Sequence, residues 1–278
     1  MTTTGTRTGT LDVPGGRLAY DVAGDGPALV LIHAGIADRR MWDDVWDDLA
    51  RDHTVIRYDT RGFGETKTLD ATPYSNRADL VALLDHLGVE RVAVCGVSRG
   101  GTIAIDTALE FADRVSTLIV VGAGLGGFEA ESTPDEAAAF AEVERLEQAR
   151  DWEALVEQEM RVWVDGLTGS PDRVPDVRRR AAGMLLRTYR AHADDPEADV
   201  IILEPRAATR IHELTIPTLV IVGDLDTPET VTTCRHIALT IPGARLVVLS
   251  GVAHLPPMER PGEFAELVRE FIGARIPG

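Results

Sequence analysis

The sequence predicts an α/β protein: a mostly parallel, eight-stranded sheet flanked by helices and interrupted once by a helical insertion. Three observations predict it. Short apolar runs alternate with amphipathic stretches of helical period, as strands joined by crossover helices do. Those runs are rich in Val, Ile and Leu with little polar alternation, the mark of strands covered on both faces. Across residues 125–205 the runs stop while the helical period continues.

The first two runs, at 9–13 and 17–22, read as a hairpin turning at Gly15 and Gly16. Six more follow at 28–33, 55–59, 91–95, 118–122, 219–223 and 246–249. Met41, Trp42, Val45, Trp46 and Leu49 share one helical face. Opposite them, Asp43, Asp44, Asp47 and Asp48 form a solvated face rather than a metal site, because no partner ligands cluster nearby. Phe264, Leu267, Val268, Phe271 and Ile272 repeat the helical pattern near the C-terminus.

Within the insertion, Thr133-Pro134-Asp135-Glu136 is a capping box with proline at the first helical position, opening a helix to about Arg150. Trp152, Leu155, Val156, Met160 and Trp163 mark a second helix, ended by Gly166, and residues 175–192 read as a third. The expected organisation is a core of residues 1–124 and 206–278 with a helical lid or cap at 125–205. A second structural domain with no role in ligand selection is the alternative. The lid is preferred because the insertion leaves the C-terminal end of a strand, where ligand sites of open α/β sheets lie.

Charge narrows the function. The 278 residues carry 28 Lys and Arg against 45 Asp and Glu, a net charge of −17, and the insertion contributes 9 Arg against 19 acids. Nucleic-acid binding needs a basic footprint to displace counterions, and an anionic membrane surface would repel the chain. The first ten residues, MTTTGTRTGT, lack the apolar stretch of a secretion signal, and no apolar run approaches the roughly 20 residues a membrane span needs. Cys95 and Cys234 read as reduced thiols. The expectation is a cytoplasmic globular protein, with no nucleic-acid or membrane partner and with oligomerisation left open.

The chemistry centres on Gly96-Val97-Ser98-Arg99-Gly100, between a strand and a helix. This is a G-x-S-x-G nucleophile elbow in the context that motif requires. Its tight turn holds the serine in a strained conformation, and side chains at the flanking positions would clash. The turn also aims the first amides of the helix at the site, where they can stabilise an oxyanion. A serine hydroxyl needs a base, and the base an orienting acid, in the chain order Ser, Asp or Glu, His. Asp224-Leu225-Asp226 follows the strand at 219–223, and Ser250-Gly251-Val252-Ala253-His254 follows the one at 246–249. Both lie past strand C-termini, on the edge that carries Ser98.

On His33-Ala34-Gly35-Ile36, Asp59-Thr60-Arg61-Gly62-Phe63-Gly64, Gly96–Gly100, Gly223–Asp226 and Gly251–His254, the chain resembles the α/β-hydrolase superfamily over essentially its whole length. It is most similar there to small bacterial esterases and lactonases, including enol-lactonases, and to the cofactor-free haloperoxidases. The resemblance implies Ser98 as nucleophile, His254 as general base and Asp226 as orienting acid, with Asp224 the runner-up. It implies an oxyanion hole of the Arg99 amide and the Gly35 amide, with Ile36 the fallback for the latter. It gives His33 a loop-bracing role and implies no cofactor. An aspartate would stand at Ser98 in haloalkane dehalogenases and epoxide hydrolases.

Two positions depart from the pattern: Ala34 replaces a common glycine, and Arg99 an often apolar residue. The Arg99 guanidinium either binds a substrate carboxylate or, the preferred expectation, pairs with Asp38, Asp59 or Glu65. The other histidines, His53, His86, His192, His212 and His236, have no metal-ligand spacing, and no metal site is expected. Gly122-Ala123-Gly124-Leu125-Gly126-Gly127 fits a dinucleotide-binding pattern, but no helix begins there, so a glycine-rich hinge is preferred. Trp152, Met160, Trp163, Met184 and Tyr189 read as substrate wall or as the insertion's own core.

The function these readings favour is hydrolysis of a carboxylic ester or lactone, a small molecule, through an acyl-enzyme. C–C hydrolysis of ring-fission products and perhydrolysis use the same triad. A non-catalytic receptor with the hydrolase fold is a more distant reading, and a dehydrogenase more distant still.

Overall fold

The computed structural model describes residues 5–273. Residues 1–4 and 274–278, at the two ends of the expected core, lie outside them. The strands are β1 (Arg7–Val13), β2 (Gly16–Ala23), β3 (Ala28–Ile32), β4 (Thr54–Tyr58), β5 (Lys67–Thr68), β6 (Val92–Val97), β7 (Val115–Val121), β8 (Thr218–Gly223) and β9 (Arg245–Leu249). Eight of them run side by side in the order β1-β2-β4-β3-β6-β7-β8-β9. The ninth, β5, is a two-residue strand on β2 that a periodicity reading misses because two residues carry no period. β1, β2 and β4 pair antiparallel, and every step from β4 to β9 is parallel. All the parallel strands therefore end on one edge.

The helices are α1 (Asp43–Leu49), α2 (Asn76–His86), α3 (Arg99–Glu110), α4 (Pro134–Gln148), α5 (Trp152–Glu159), α6 (Pro175–His192), α7 (Ala207–Arg210), α8 (Pro228–Thr240), α9 (Pro256–Glu259) and α10 (Pro261–Gly273). One face of the sheet buries Leu29, Leu31 and Ile119 against α1 and α10, including Trp46 and Phe264. The other buries Val30, Ile32 and Val94 against α2, α3 and α8, including Leu83, Ile105 and Ile237. Opposite side chains of one strand thus enter opposite layers, which is why the runs are apolar without alternation.

Residues 125–205 carry α4, α5 and α6, and among the described residues no named strand. The capping box is present: the Thr133 hydroxyl accepts from the Glu136 amide, and Glu136 accepts from the Thr133 amide at 2.7 Å. The second helix differs from expectation. α5 stops at Glu159 and the chain continues as a π-helix over Met160–Asp165, ended by Gly166 at φ +83°. Met160, Val164, Met184 and Leu185 from the insertion belong to the same apolar layer as α1 and α10. These insertion residues are thus packed into that layer.

Cys95 and Cys234 are both unpaired and buried. Among the described residues, no helix is long and apolar enough to cross a membrane, and no His/Cys/Asp/Glu cluster is arranged to hold a metal ion.

Candidate active site

Ser98 lies between β6 and α3 with φ +54° and ψ −118°, a conformation costly for any residue with a side chain. The turn is locked rather than loose. The Ser98 amide donates to Val121 O at 2.8 Å, and Ser98 O accepts from the Thr102 amide at 3.0 Å. The flanking glycines are required sterically. A Cβ on Gly96 would sit 2.1 Å from Gly100 O, and one on Gly100 would sit 2.3 Å from Ile32 O. The strand, the serine and the helix start can approach this closely only without those side chains.

Asp226 and His254 meet from the loops after β8 and β9. His254 Nδ1 lies 2.8 Å from Asp226 Oδ2 and 3.0 Å from Oδ1, with both residues buried. The Asp226 carboxylate also accepts from the Thr227 amide at 2.8 Å, which fixes its plane. Asp224, the other candidate acid, points elsewhere: it accepts from the Ser250 hydroxyl at 2.9 Å and the Gly251 amide at 2.7 Å. The loop after β9 is thus braced by one aspartate and its histidine held by the other.

Ser98 and His254 line one cavity of about 390 Å³, together with Arg99, Gly122, Phe140 and Trp163. Among the described residues, no hydrogen bond joins the Ser98 hydroxyl to His254; such contacts commonly tighten only when substrate is bound. Gly35 follows β3 and lies beside the start of α3. A Cβ there would be 3.8 Å from the Arg99 Cβ, so the two residues are neighbours at the start of α3. The Arg99 amide opens α3, in the first turn where helix N–H groups lack intrahelical partners.

His33 braces the neighbouring loops. Its Nδ1 donates to Ala34 O at 2.8 Å and its Nε2 accepts from the Thr60 amide at 3.0 Å. Burial holds its pKa below the ordinary histidine value, so the ring stays neutral in that role.

The expected partner of Arg99 is not found. Asp59 and Glu65 both bind Arg39, and Asp38 binds Arg40. Arg39 reaches the acids first because it starts the turn after β3, where its own amide also donates to Asp59 at 2.8 Å. Arg99 instead donates to the Thr60 hydroxyl, approaches Asn76 Oδ1 at 3.4 Å and lies over the Phe63 ring at 4.8 Å.

Three features go beyond what the sequence assigns. Of the five apolar candidates in the insertion, Trp163 is the one against His254, with ring centroids 4.4 Å apart and the Trp163 carbonyl accepting the His254 amide at 3.1 Å. Met160 and Met184 are core, and Trp152 stacks on Tyr189. Phe140, on α4, joins Trp163 at the cavity wall. Gly122, part of the hinge motif, has φ +51°, and a Cβ there would press on Asp226 Oδ2 at 3.0 Å and His254 Nδ1 at 3.3 Å. A glycine at a strand end beside two candidate catalytic loops was the available signal for it.

A nine-stranded α/β sheet with these side chains gathered along its C-terminal edge defines a class, and comparison with known proteins places the chain in it. Residues 27–261 match the model of the α/β-hydrolase fold family, and the chain belongs to that family. It is 30% identical to rhodomycin D methylesterase of Streptomyces peucetius, over 84% of this chain and 86% of that one. Among solved structures it is similar to a hydrolase from Pseudomonas aeruginosa PA01 (27% identity, TM-score 0.76, covering 96% and 98% of the two chains). It is also similar to Est816, described as an N-acyl homoserine lactone degrading enzyme (28% identity, TM-score 0.73, covering 95% and 100%).

Proposed function

We propose that the protein is a serine hydrolase of carboxylic esters or lactones, with Ser98, His254 and Asp226 as its triad. The observation that carries this is the convergence of a strained Ser98 and an Asp226-bound His254 on one cavity. The esterase and lactone-degrading relatives support the substrate class.

With His254 Nδ1 turned to Asp226, Nε2 is free to take the Ser98 proton. The serine oxygen then adds to the carbonyl, and the Gly35 and Arg99 amides hold the oxyanion, each donor worth about 3–4 kcal/mol of barrier. His254 returns the proton to the leaving alcohol. The same residue then activates the water that releases the acid from the acyl-enzyme. Residues 125–205 act as a cap, with Trp163 and Phe140 supplying an apolar wall.

The test is initial rates on p-nitrophenyl esters from acetate to octanoate, with Ser98→Ala beside wild type. Turnover by wild type that falls at least about a thousandfold in the variant is expected. Equal rates in the two proteins would overturn Ser98 as nucleophile. No turnover of any ester, with ring-fission products cleaved instead, would move the reading to C–C hydrolysis.

A further inference from the structure

Arg99 is a half-buried cation without a carboxylate. The acids within reach of its loop are taken: Asp59 and Glu65 by Arg39, Asp38 by Arg40, and Asp79 by Arg61. Its own partners, the Thr60 hydroxyl, the Asn76 side-chain oxygen and the Phe63 ring, are all neutral. A guanidinium removed from water without a counter-charge is costly, and burial holds the Arg99 pKa below its ordinary value. An anion arriving beside it would relieve that cost.

The space for one exists. Arg99 and Thr102 line both the Ser98 cavity and a second cavity of about 360 Å³. Three guanidinium groups, Arg77, Arg99 and Arg206, border the second cavity, against one carboxylate, Asp106. Arg77 is already bound to Glu110. Its apolar wall is the segment carrying Ile201 and Ile202, which are 50% and 51% exposed. A cation-rimmed hollow in a chain of net charge −17 runs against the grain of the whole surface.

Strand order sets the loops that hold Arg99 and His254 on different sides of Ser98. His254 follows β9, on one side of Ser98; Thr60, which holds the Arg99 guanidinium, follows β4, on the other. The leaving alcohol must sit on the histidine side to receive its proton, so the acyl chain extends toward Arg99. We propose that Arg99 is a specificity-determining residue that binds a second carboxylate on the acyl part of the substrate. The preferred substrates are then half-esters of dicarboxylic acids, or lactones bearing a free carboxylate. The planar guanidinium fork matches a carboxylate with two parallel hydrogen bonds. The proposal rests on the serine-hydrolase reading of the same site.

Its test compares p-nitrophenyl hexanoate with mono-p-nitrophenyl adipate, which differ by one terminal carboxylate. Wild type is expected to favour the adipate half-ester in kcat/KM by about tenfold or more, the range of a hydrogen bond to a charged group. Arg99→Met should lose that preference, the ratio of the two kcat/KM values falling to near one whatever the absolute rate on the hexanoate, and Arg99→Lys should retain part of it. Equal kcat/KM on both esters in wild type, or an equal fall on both in Arg99→Met, would overturn it. Arg99→Gln carries the same comparison if the Met variant does not fold.

Calorimetry of adipate binding to Ser98→Ala, with and without Arg99→Met, reads the carboxylate site apart from turnover. Binding that the second substitution abolishes is expected, and no binding to Ser98→Ala would overturn the proposal. Adipate binding without turnover of any ester would sink the serine-hydrolase reading and leave the anion site standing.

Discussion

The indole of Trp163 and the imidazole of His254 lie at 39° with ring centroids 4.4 Å apart, and the backbone of one holds the backbone of the other. The insertion therefore touches the candidate general base directly. Trp163→Leu should lower kcat by about tenfold or more, because a small displacement of a reacting group is expensive. Steady-state kinetics on a p-nitrophenyl ester checks this; a change in KM alone would make Trp163 merely a pocket wall.

The two aspartates after β8 should separate cleanly. Asp226→Asn leaves the shape but loses the charge that orients His254, and activity should fall by about 10³–10⁴-fold. Asp224→Asn should cost little activity, since Asp224 only braces Ser250 and Gly251. Equal residual rates would refute the assignment of the acid.

Arg39 sits with its charge buried between Asp21 and Asp59. Arg39→Met would leave Asp59 as an uncompensated buried anion, a loss of about 3–5 kcal/mol. Urea denaturation of the two proteins measures it, and a loss below about 1 kcal/mol would contradict the buried-network account.

Asp106 predicts a pH dependence. Burial pushes its carboxyl up to about 6, with Arg77 and Arg206 pulling down and Glu110 pushing up. Between its ordinary range near 4 and about 6 the folded chain binds more protons than the unfolded one, so this group makes stability fall as pH rises through that window. Asp106→Asn should therefore be more stable than wild type at pH 7.5, by about 1 kcal/mol after allowing for solvent screening, and no more stable at pH 3.5. Denaturant midpoints at the two pH values decide it; the same gain at both would remove titration as the cause.

Much of this molecule is written locally. α6, the capping box of α4 and the strand before Ser98 follow from period, caps and glycines within one segment. So do the three loops that bring Ser98, Asp226 and His254 to one edge, because parallel strands fix which end each loop leaves from. What was not legible is settled between segments. Leu155, Val156, Met160 and Trp163 keep helical spacing, so the π-turn that aims Trp163 at His254 leaves no trace in the pattern. The partner of Arg99 is not legible for a similar reason: several arginines compete for the same acids, and only their relative reach decides that Arg39 takes Asp59.

The bond between the Trp163 carbonyl and the His254 amide has a consequence for traffic through the site. Glu136, which accepts the Glu229 amide at 2.8 Å, and Arg173, which donates to Gly251 O at 3.0 Å, add two further fastenings between the insertion and the loops after β8 and β9. Swinging the whole insertion outward would drag the histidine loop with it and disturb the pairing of His254 with Asp226. The Arg99 flank differs: there Ile201 and Ile202 meet solvent at the rim of the second cavity, which shares Arg99 and Thr102 with the Ser98 cavity. Access along that flank would leave the bond to His254 untouched, so the wall there can vary without moving the histidine loop.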